Sequence, residues 1–198
     1  MLSIKNNFPA IALQLKRMRK DIGDKALRST VNKVAAISKT AMNKEIRSEF
    51  VMKAGEVGKE LKVDRARAGR RARGIVAKLS ARPGKRSINL IRFLEKKVSF
   101  AQARRRRKEG SLNVLRFKIK KSGGFKTIKG AFIGNKGRTV FQREGRGRLP
   151  IKAAQTIGVA QMFNTKKINR VVVRNAQLRL AKIFDNEARF FTAKFNAR

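Results

Sequence analysis

The sequence predicts an α+β fold with N-terminal helices, a central antiparallel β-sheet and a long C-terminal helix. Apolar residues recur every three or four positions in the first third, alternate with polar residues in the middle, and return to helical spacing after Pro150. The chain has 198 residues, of which 41% are hydrophobic, so one domain with its own core is expected. Within that single domain we assign residues 1–73 to a helical basic region, residues 74–150 to the antiparallel sheet, and residues 151–198 to a connector and the C-terminal helix.

The first third contains the signals of three helices. Pro9 is tolerated in a first turn and marks the start of the first helix. Asp24 is a suitable N-cap for a long second helix, which Gly55 and Gly58 are expected to end. One apolar or small face of that helix is formed by Leu27, Val31, Val34, Ala35, Ser38, Ala41, Met42 and Ile46. A short basic helix is expected to follow, at about Glu60 to Arg73.

The middle of the chain has the alternation of half-buried strands, with one wet basic face and one buried face. Strands are expected at Ile75 to Ala81, at Ile88 to Leu94, at Leu115 to Lys120, and as a hairpin at Lys126 to Ile133 and Arg138 to Arg143. Gly134-Asn135-Lys136-Gly137 supplies the turn of that hairpin. The phenylalanines of this region are assigned to the core rather than to base stacking: Phe93, Phe100, Phe117, Phe125, Phe132 and Phe141.

The last segment is expected to be a connector followed by a helix from about Asn164 to Phe195. Its apolar stripe consists of Val173, Ala176, Leu180, Ile183, Phe184 and Phe191.

Charge is the strongest compositional signal. The chain carries 52 Lys and Arg against 12 Asp and Glu, a net charge of +40. Such an excess repels itself and favours a polyanionic partner, of which nucleic acid is the commonest. No apolar run approaches the ~20 residues of a membrane span. We therefore expect a basic protein that is made in the cytoplasm and does not enter a membrane.

The residue types that enzymes use most are scarce. The sequence has no Cys and no His, which removes disulfides, the usual zinc ligands and the usual general base at neutral pH. Glu45 with Glu49, and Glu56 with Glu60, have helical i, i+4 spacing, but they lie among Lys and Arg, where ion pairs on a helix surface explain them. A nuclease needs converging acids for a metal, and no compact acidic motif is present. We expect no catalytic residues, no metal and no cofactor.

The densest charge is a run of five cations that begins at Arg104 and is followed by Glu109 and Gly110. Adjacent like charges resist compaction, so we expect a flexible loop that meets DNA phosphate. The alternative is a solvated loop with no fixed partner. A basic strand face is expected to bind DNA together with the loop. No motif that recognises a base sequence is visible. The predicted DNA-binding residues are Arg104, Arg105, Arg106, Arg107, Lys108, Arg116, Lys118 and Lys120.

Four short motifs follow one another between residues 130 and 163. They are Gly130-Ala131-Phe132-Ile133, then Val140-Phe141-Gln142-Arg143-Glu144-Gly145 after Gly137, then Arg148-Leu149-Pro150-Ile151-Lys152, then Gln161-Met162-Phe163. This order, with the Arg-rich run and the basic helical first third, resembles the prophage minor tail protein Z family, the tail completion proteins of long-tailed phages. The resemblance covers most of the chain. It departs from the family at Thr156 to Ala160, where members often carry a Pro-Ser-Val-Pro-like stretch.

The resemblance implies a structural virion protein at the head-proximal end of the tail, needed for tail completion, head–tail joining and DNA positioning or passage. Its implied partners are phage DNA, bound without sequence specificity, and the tail terminator, tail tube and head–tail connector proteins. The symmetry of tails favours a homo-oligomeric ring, with six-fold symmetry favoured. The residues expected to meet neighbouring subunits are Arg143, Arg146, Arg148, Leu149, Pro150 and Ile151.

Two other classes compete with this interpretation. Composition alone favours a ribosomal or nucleoid-type nucleic-acid-binding protein, because a large positive charge without cysteine is common there. A DNA-cleaving enzyme is the third reading, which the missing acidic motif disfavours. The ordered motifs favour the tail protein, and the neighbouring genes would separate the three.

Overall fold

A computed structural model describes residues 9–67, 74–82, 87–95, 101, 105, 108–109, 115–145 and 147–197. Over these residues the fold is α+β as predicted, with N-terminal helices, small antiparallel sheets and a long C-terminal helix. The chain forms two compact units. The first takes its described residues from 1–45, 57–82 and 163–198, and the second takes them from 46–56 and 83–162.

The elements are numbered in chain order. The helices are α1 (Pro9–Arg17), α2 (Lys20–Glu49), α3 (Ala54–Glu60), α4 (Val159–Phe163) and α5 (Lys166–Asn196). The strands are β1 (Leu61–Asp64), β2 (Lys78–Ala81), β3 (Ser87–Asn89), β4 (Arg116–Phe117), β5 (Lys126–Thr127), β6 (Ala131–Gly134), β7 (Thr139–Arg143), β8 (Ile151–Ala153) and β9 (Gln155–Ile157). The antiparallel pairs are β1 with β2, β3 with β9, and β4 with β5, while β6, β7 and β8 form a three-stranded sheet.

The first unit buries the apolar stripes of its long helices. Ile11 of α1, Ala26 of α2 and Phe184 of α5 form one buried cluster, with Leu15 and Leu180 packed against it. The predicted core face of α2 is confirmed, since its most buried members in this unit are Val34, Ala35, Ser38 and Met42. Burial of these stripes is the main stabilisation that the helices receive.

A buried acid joins α2 to α5. The Lys33 ammonium donates a hydrogen bond to the carboxylate of Glu187, whose side chain is 8% exposed. Burial raises the pKa of Glu187, but hydrogen bonds from Lys33 and Ser29 outweigh it and hold the pKa below its ordinary value. The carboxylate therefore stays charged inside the helix pair.

Asp24 was expected to begin α2, and Gly55 and Gly58 were expected to end it, but none of the three lies at an end of the helix. The helix begins at Lys20, so Gly23 and Asp24 lie inside its first turns, and it ends at Glu49. A Cβ on Gly23 would stand 3.0 Å from Cδ2 of Leu15, so this glycine allows α1 to approach α2. The two later glycines, Gly55 and Gly58, lie within α3. Close packing of α1 against α2 therefore explains Gly23.

The predicted basic helix at Glu60 to Arg73 is wrong over its first turn. Leu61–Asp64 is strand β1, whose register pairs Leu61 with Ala81 and Asp64 with Lys78. The burial alternates along it, because Leu61 is buried and Lys62 is exposed. Pairing with a strand that comes later in the chain overrides the local helical pattern. Residues 68–73 lie outside the described part of the chain.

The predicted hairpin is present in the second unit, but its first strand begins at Ala131 and not at Lys126, because Lys126–Thr127 is the separate strand β5 and pairs with β4. Strands β6 and β7 pair with Phe132 opposite Phe141, and Asn135, Lys136 and Gly137 form the turn with φ of 49°, 52° and 84°. Left-handed backbone at all three positions suits a residue sequence with Asn and Gly.

Other strands of the second unit differ from the prediction. The strand expected at Ile88 to Leu94 is β3 followed by a 3-10 turn at Leu90–Phe93. The connector expected after Pro150 contains β8 and β9, which pair with β7 and β3. Their partners come earlier in the chain, so local periodicity carried no sign of them.

Candidate nucleic-acid interface

The basic strand predicted at Leu115 to Lys120 is present in part, as β4 at Arg116–Phe117. In the β4–β5 pair, Arg116 stands opposite Thr127 and Phe117 opposite Lys126. Leu115 and Phe117 are buried, Arg116 and Lys120 are exposed, and Lys118 is partly exposed. Arg116 and Lys118 both lie beside the ring of Phe125, and Lys120 is an exposed cation two residues further on. We call Arg116, Lys118, Lys120 and Phe125 the β4 face.

Backbone hydrogen bonds hold this segment along its other edge. The Glu95 N–H donates to the Arg116 carbonyl and the Lys118 N–H donates to the Phe93 carbonyl, both at 2.9 Å. Further along, the Val51 N–H donates to the Ile119 carbonyl at 2.9 Å. Arg116 therefore projects from a backbone that is paired on both sides, and the backbone of Lys118 is held by Phe93.

Phe125 belongs to this face and not to the core, so its predicted burial is wrong. Its side chain is 39% exposed. The guanidinium carbon of Arg116 lies 4.7 Å from the ring centroid, and Nζ of Lys118 lies 5.5 Å from it. The hairpin register places Phe125 on the same side as Arg116, and a single sequence does not reveal that register. Of the other phenylalanines, Phe93 and Phe117 are buried as predicted, Phe132 and Phe141 are half-buried, and Phe100 lies outside the described residues.

The stretch of sequence that contains the β4 face is cationic. Between Glu109 and Glu144 the sequence contains no Asp or Glu but nine Lys and Arg. Glu95 approaches from the neighbouring segment, with Oε2 3.4 Å from Nε of Arg116. The side chains of Arg116 and Glu95 are 54% and 28% exposed, so their ion pair contributes little free energy. It leaves the other guanidinium donors of Arg116 available.

The Arg-rich run was expected to be an irregular loop, which is wrong at the positions that the structure describes. Arg105 and Lys108 are helical and exposed, and the Glu109 N–H donates to the Arg105 carbonyl at 3.1 Å. Arg and Lys have high intrinsic helix propensity, so an exposed helical turn accommodates them. Arg104, Arg106 and Arg107 lie outside the described residues.

The predicted subunit-contact residues lie on β7, on the start of β8 and on the loop between them. Nη1 of Arg143 donates to the carbonyls of Gly147 and Arg148, at 3.1 and 2.7 Å, and its guanidinium carbon lies 5.2 Å from the Phe132 ring centroid. Arg143 therefore holds the loop together, a role that the sequence did not indicate. Leu149 is 70% exposed, and Pro150, Ile151 and Arg148 are exposed with it. Arg146 lies outside the described residues.

The carboxylates do not gather into a metal site in the described part of the chain, where no three His, Cys, Asp or Glu side chains cluster. Oε1 of Glu56 lies 2.6 Å from Nη1 of Arg92, so its ion pair reaches beyond its own helix. Among the described helices, none is long and apolar enough to cross a membrane.

Comparison with known families gives one match. A family model described as prophage minor tail protein Z matches residues 5–194, nearly the full length of the chain. Neither the curated proteins nor the solved structures contain a match to this chain.

Proposed function

The chain belongs to the prophage minor tail protein Z family, and we propose that it completes the tail at its head-proximal end, joins tail to head and positions the DNA there. Family membership carries the assignment to a structural role in a phage tail. The cationic β4 face supports the more specific proposal of DNA contact.

The DNA contact is proposed for phosphate and not for base sequence. Arg116, Lys118 and Lys120 are exposed or partly exposed cations on a fixed backbone, with no acid in the sequence from residue 110 to residue 143. Cations of this kind bind phosphate with release of counterions, which is independent of sequence. The Arg-rich run from Arg104 to Lys108 is proposed to act with them.

The contact with neighbouring tail proteins is proposed for the residues from Arg143 to Ile151. Arg148 and Leu149 offer a cation and an apolar side chain to acidic and apolar surfaces of the tail terminator, tail tube or head–tail connector. A ring of six copies would carry about +240 charges, which requires DNA or acidic neighbours to compensate. We propose that the protein is located in the tail of the virion, after synthesis in the host cytoplasm.

Salt-dependent DNA binding tests the proposed contact. A triple variant with Arg116→Ser, Lys118→Ser and Lys120→Ser should weaken binding to duplex DNA. If each cation neutralises one phosphate, the slope of log K against log salt should become shallower by about 2.7.

A matched variant controls for the loss of net charge. Arg174→Ser, Arg179→Ser and Lys182→Ser removes three exposed cations from α5. It should leave the slope nearly unchanged. Equal losses in both triple variants would mean that the total charge, and not the β4 face, attracts the DNA.

A further inference from the structure

Phe125 is an exposed aromatic ring set among cations. Its neighbours on the β4 face are Arg116 and Lys118, at 4.7 and 5.5 Å from the ring centroid. Exposure of a large apolar ring is unfavourable in water, so the 39% exposure leaves apolar surface that a ligand can cover.

Phosphate binding alone does not account for the ring. In a duplex, each base is covered by its stacked neighbours, so an aromatic side chain gains nothing beside the phosphates. An unpaired base has a free face, and stacking on an aromatic side chain is how proteins bind single strands without reading sequence.

The cations add a place for phosphate, so the site fits a nucleotide and not only a base. The planar guanidinium of Arg116 can itself stack on a base, and it lies over the Phe125 ring. Nζ of Lys118 lies 5.5 Å from the centroid of the same ring. A base stacked on this pair of ring and guanidinium would therefore place its backbone phosphate beside the Lys118 ammonium group.

We propose that Phe125, Arg116 and Lys118 form a stacking platform for an unpaired base of single-stranded DNA. The inference rests on the proposed function, because it takes the β4 face to bind the DNA and adds that the bound segment is single-stranded. It adds a ligand class that the family match does not carry.

The test compares single-stranded and double-stranded probes on the full chain. Fluorescence anisotropy would measure binding of an oligothymidylate of about 12 nucleotides and of a blunt duplex hairpin at one salt concentration. Phe125→Leu should weaken the oligothymidylate complex about tenfold and leave duplex binding and both salt slopes unchanged, because no charge is removed. Phe125→Tyr should restore binding to within about twofold of the original chain.

Phe190→Leu is the matched control, because Phe190 is also exposed and also lies near a cation, with Nζ of Lys194 6.0 Å from its ring centroid. It should change neither affinity. Circular dichroism would confirm that each variant is folded.

Three results would overturn the platform: an unchanged oligothymidylate affinity in folded Phe125→Leu, an equal loss for both probes, or an equal loss in Phe190→Leu. Each of these leaves phosphate contact by the β4 face intact as long as the original chain binds the duplex. Failure of the original chain to bind either probe would instead contradict the proposed DNA contact itself, and the platform with it.

Discussion

Asn89 shows how one side chain fixes the position of a strand. Its Oδ1 accepts hydrogen bonds from the N–H groups of Val140 and Ile91, at 2.9 and 3.1 Å, and its Nδ2 donates to the Val140 carbonyl at 3.1 Å. Val140 is fully buried. The side-chain amide of Asn89 therefore gives the backbone of Val140 the hydrogen-bond partners that a neighbouring strand would otherwise supply.

Removal of that amide should be costly. Asn89→Ala leaves the buried Val140 N–H without its partner, so the free energy of unfolding should fall by about 2–3 kcal/mol. Asn89→Asp keeps the acceptor but loses the donor, so its free energy of unfolding should lie between those of the original chain and of Asn89→Ala. Chemical denaturation measures both changes, and hydrogen exchange at the Val140 amide locates them. An Asn89→Ala chain as stable as the original would show that these bonds contribute nothing.

The Lys33–Glu187 pair should make the stability of the first unit depend on pH. The pKa of Glu187 is held below its ordinary value of 4.5 in the folded chain. The pair therefore stabilises the fold fully above about pH 4.5, and its contribution is lost as the pH falls through the lowered folded pKa.

Glu187→Gln should remove that dependence. At pH 7 the substitution should lower the free energy of unfolding by about 1–3 kcal/mol, because it removes a charged hydrogen bond, and the difference should shrink below pH 4.5. Denaturation at pH 7 and pH 3 measures it. Asp21→Asn is the control, since Asp21 and Arg19 form a well-exposed pair of the same unit. A pH-independent difference for Glu187→Gln would contradict the electrostatic explanation.

At the scale of elements, periodicity predicted those that depend on their own sequence. The start of α1 at Pro9, the core face of α2, the β6–β7 hairpin and the helix after Asn164 are all confirmed. The elements that depend on distant partners were not predictable: β1, β8 and β9 form because earlier or later segments lie alongside them. The role of Gly23 also depends on a distant partner, because it is set by Leu15 of another helix.

The β6–β7 hairpin supplies a prediction about packing. A Cβ on Gly134 would stand 2.9 Å from Cδ2 and Cε2 of Phe141, whose ring stacks with Phe132 at a centroid distance of 5.9 Å. Gly134→Ala should therefore destabilise the second unit by about 1–3 kcal/mol. Thermal unfolding measures the loss. Gly124→Ala is the matched control, because a Cβ there meets no atom within 4 Å, and equal effects of the two substitutions would refute the steric argument.

For the whole molecule, charge predicts a polyanionic partner, and it indicated only part of the candidate site. The alternation of Arg116, Lys118 and Lys120 with apolar residues was enough to predict a basic strand face. Phe125 was misassigned and the hydrogen bonds of Arg143 within its own loop were not foreseen, because composition does not encode strand register or loop conformation. The organisation of the chain as a single domain, the copy number and the subunit contacts stay predictions.

The Arg-rich run should contribute to DNA retention without contributing to the fold. Replacement of Arg104, Arg105, Arg106 and Arg107 by Ser removes four cations from a segment whose described residues are exposed, so folding should be intact. Phages that carry the variant should lose infectivity or release DNA, because fewer phosphates are neutralised. A normal titre would remove this run from the proposed mechanism.

The proposed function requires the β4 face to lie against the DNA at the head-proximal end of the tail. A cryo-electron microscopy reconstruction of that end in assembled tails, joined to filled heads, is the direct test. DNA density is expected beside Arg116, Lys118 and Lys120, with their charged groups within about 4 Å of phosphate oxygens. A reconstruction in which these three side chains face bulk solvent, away from any DNA, would contradict it.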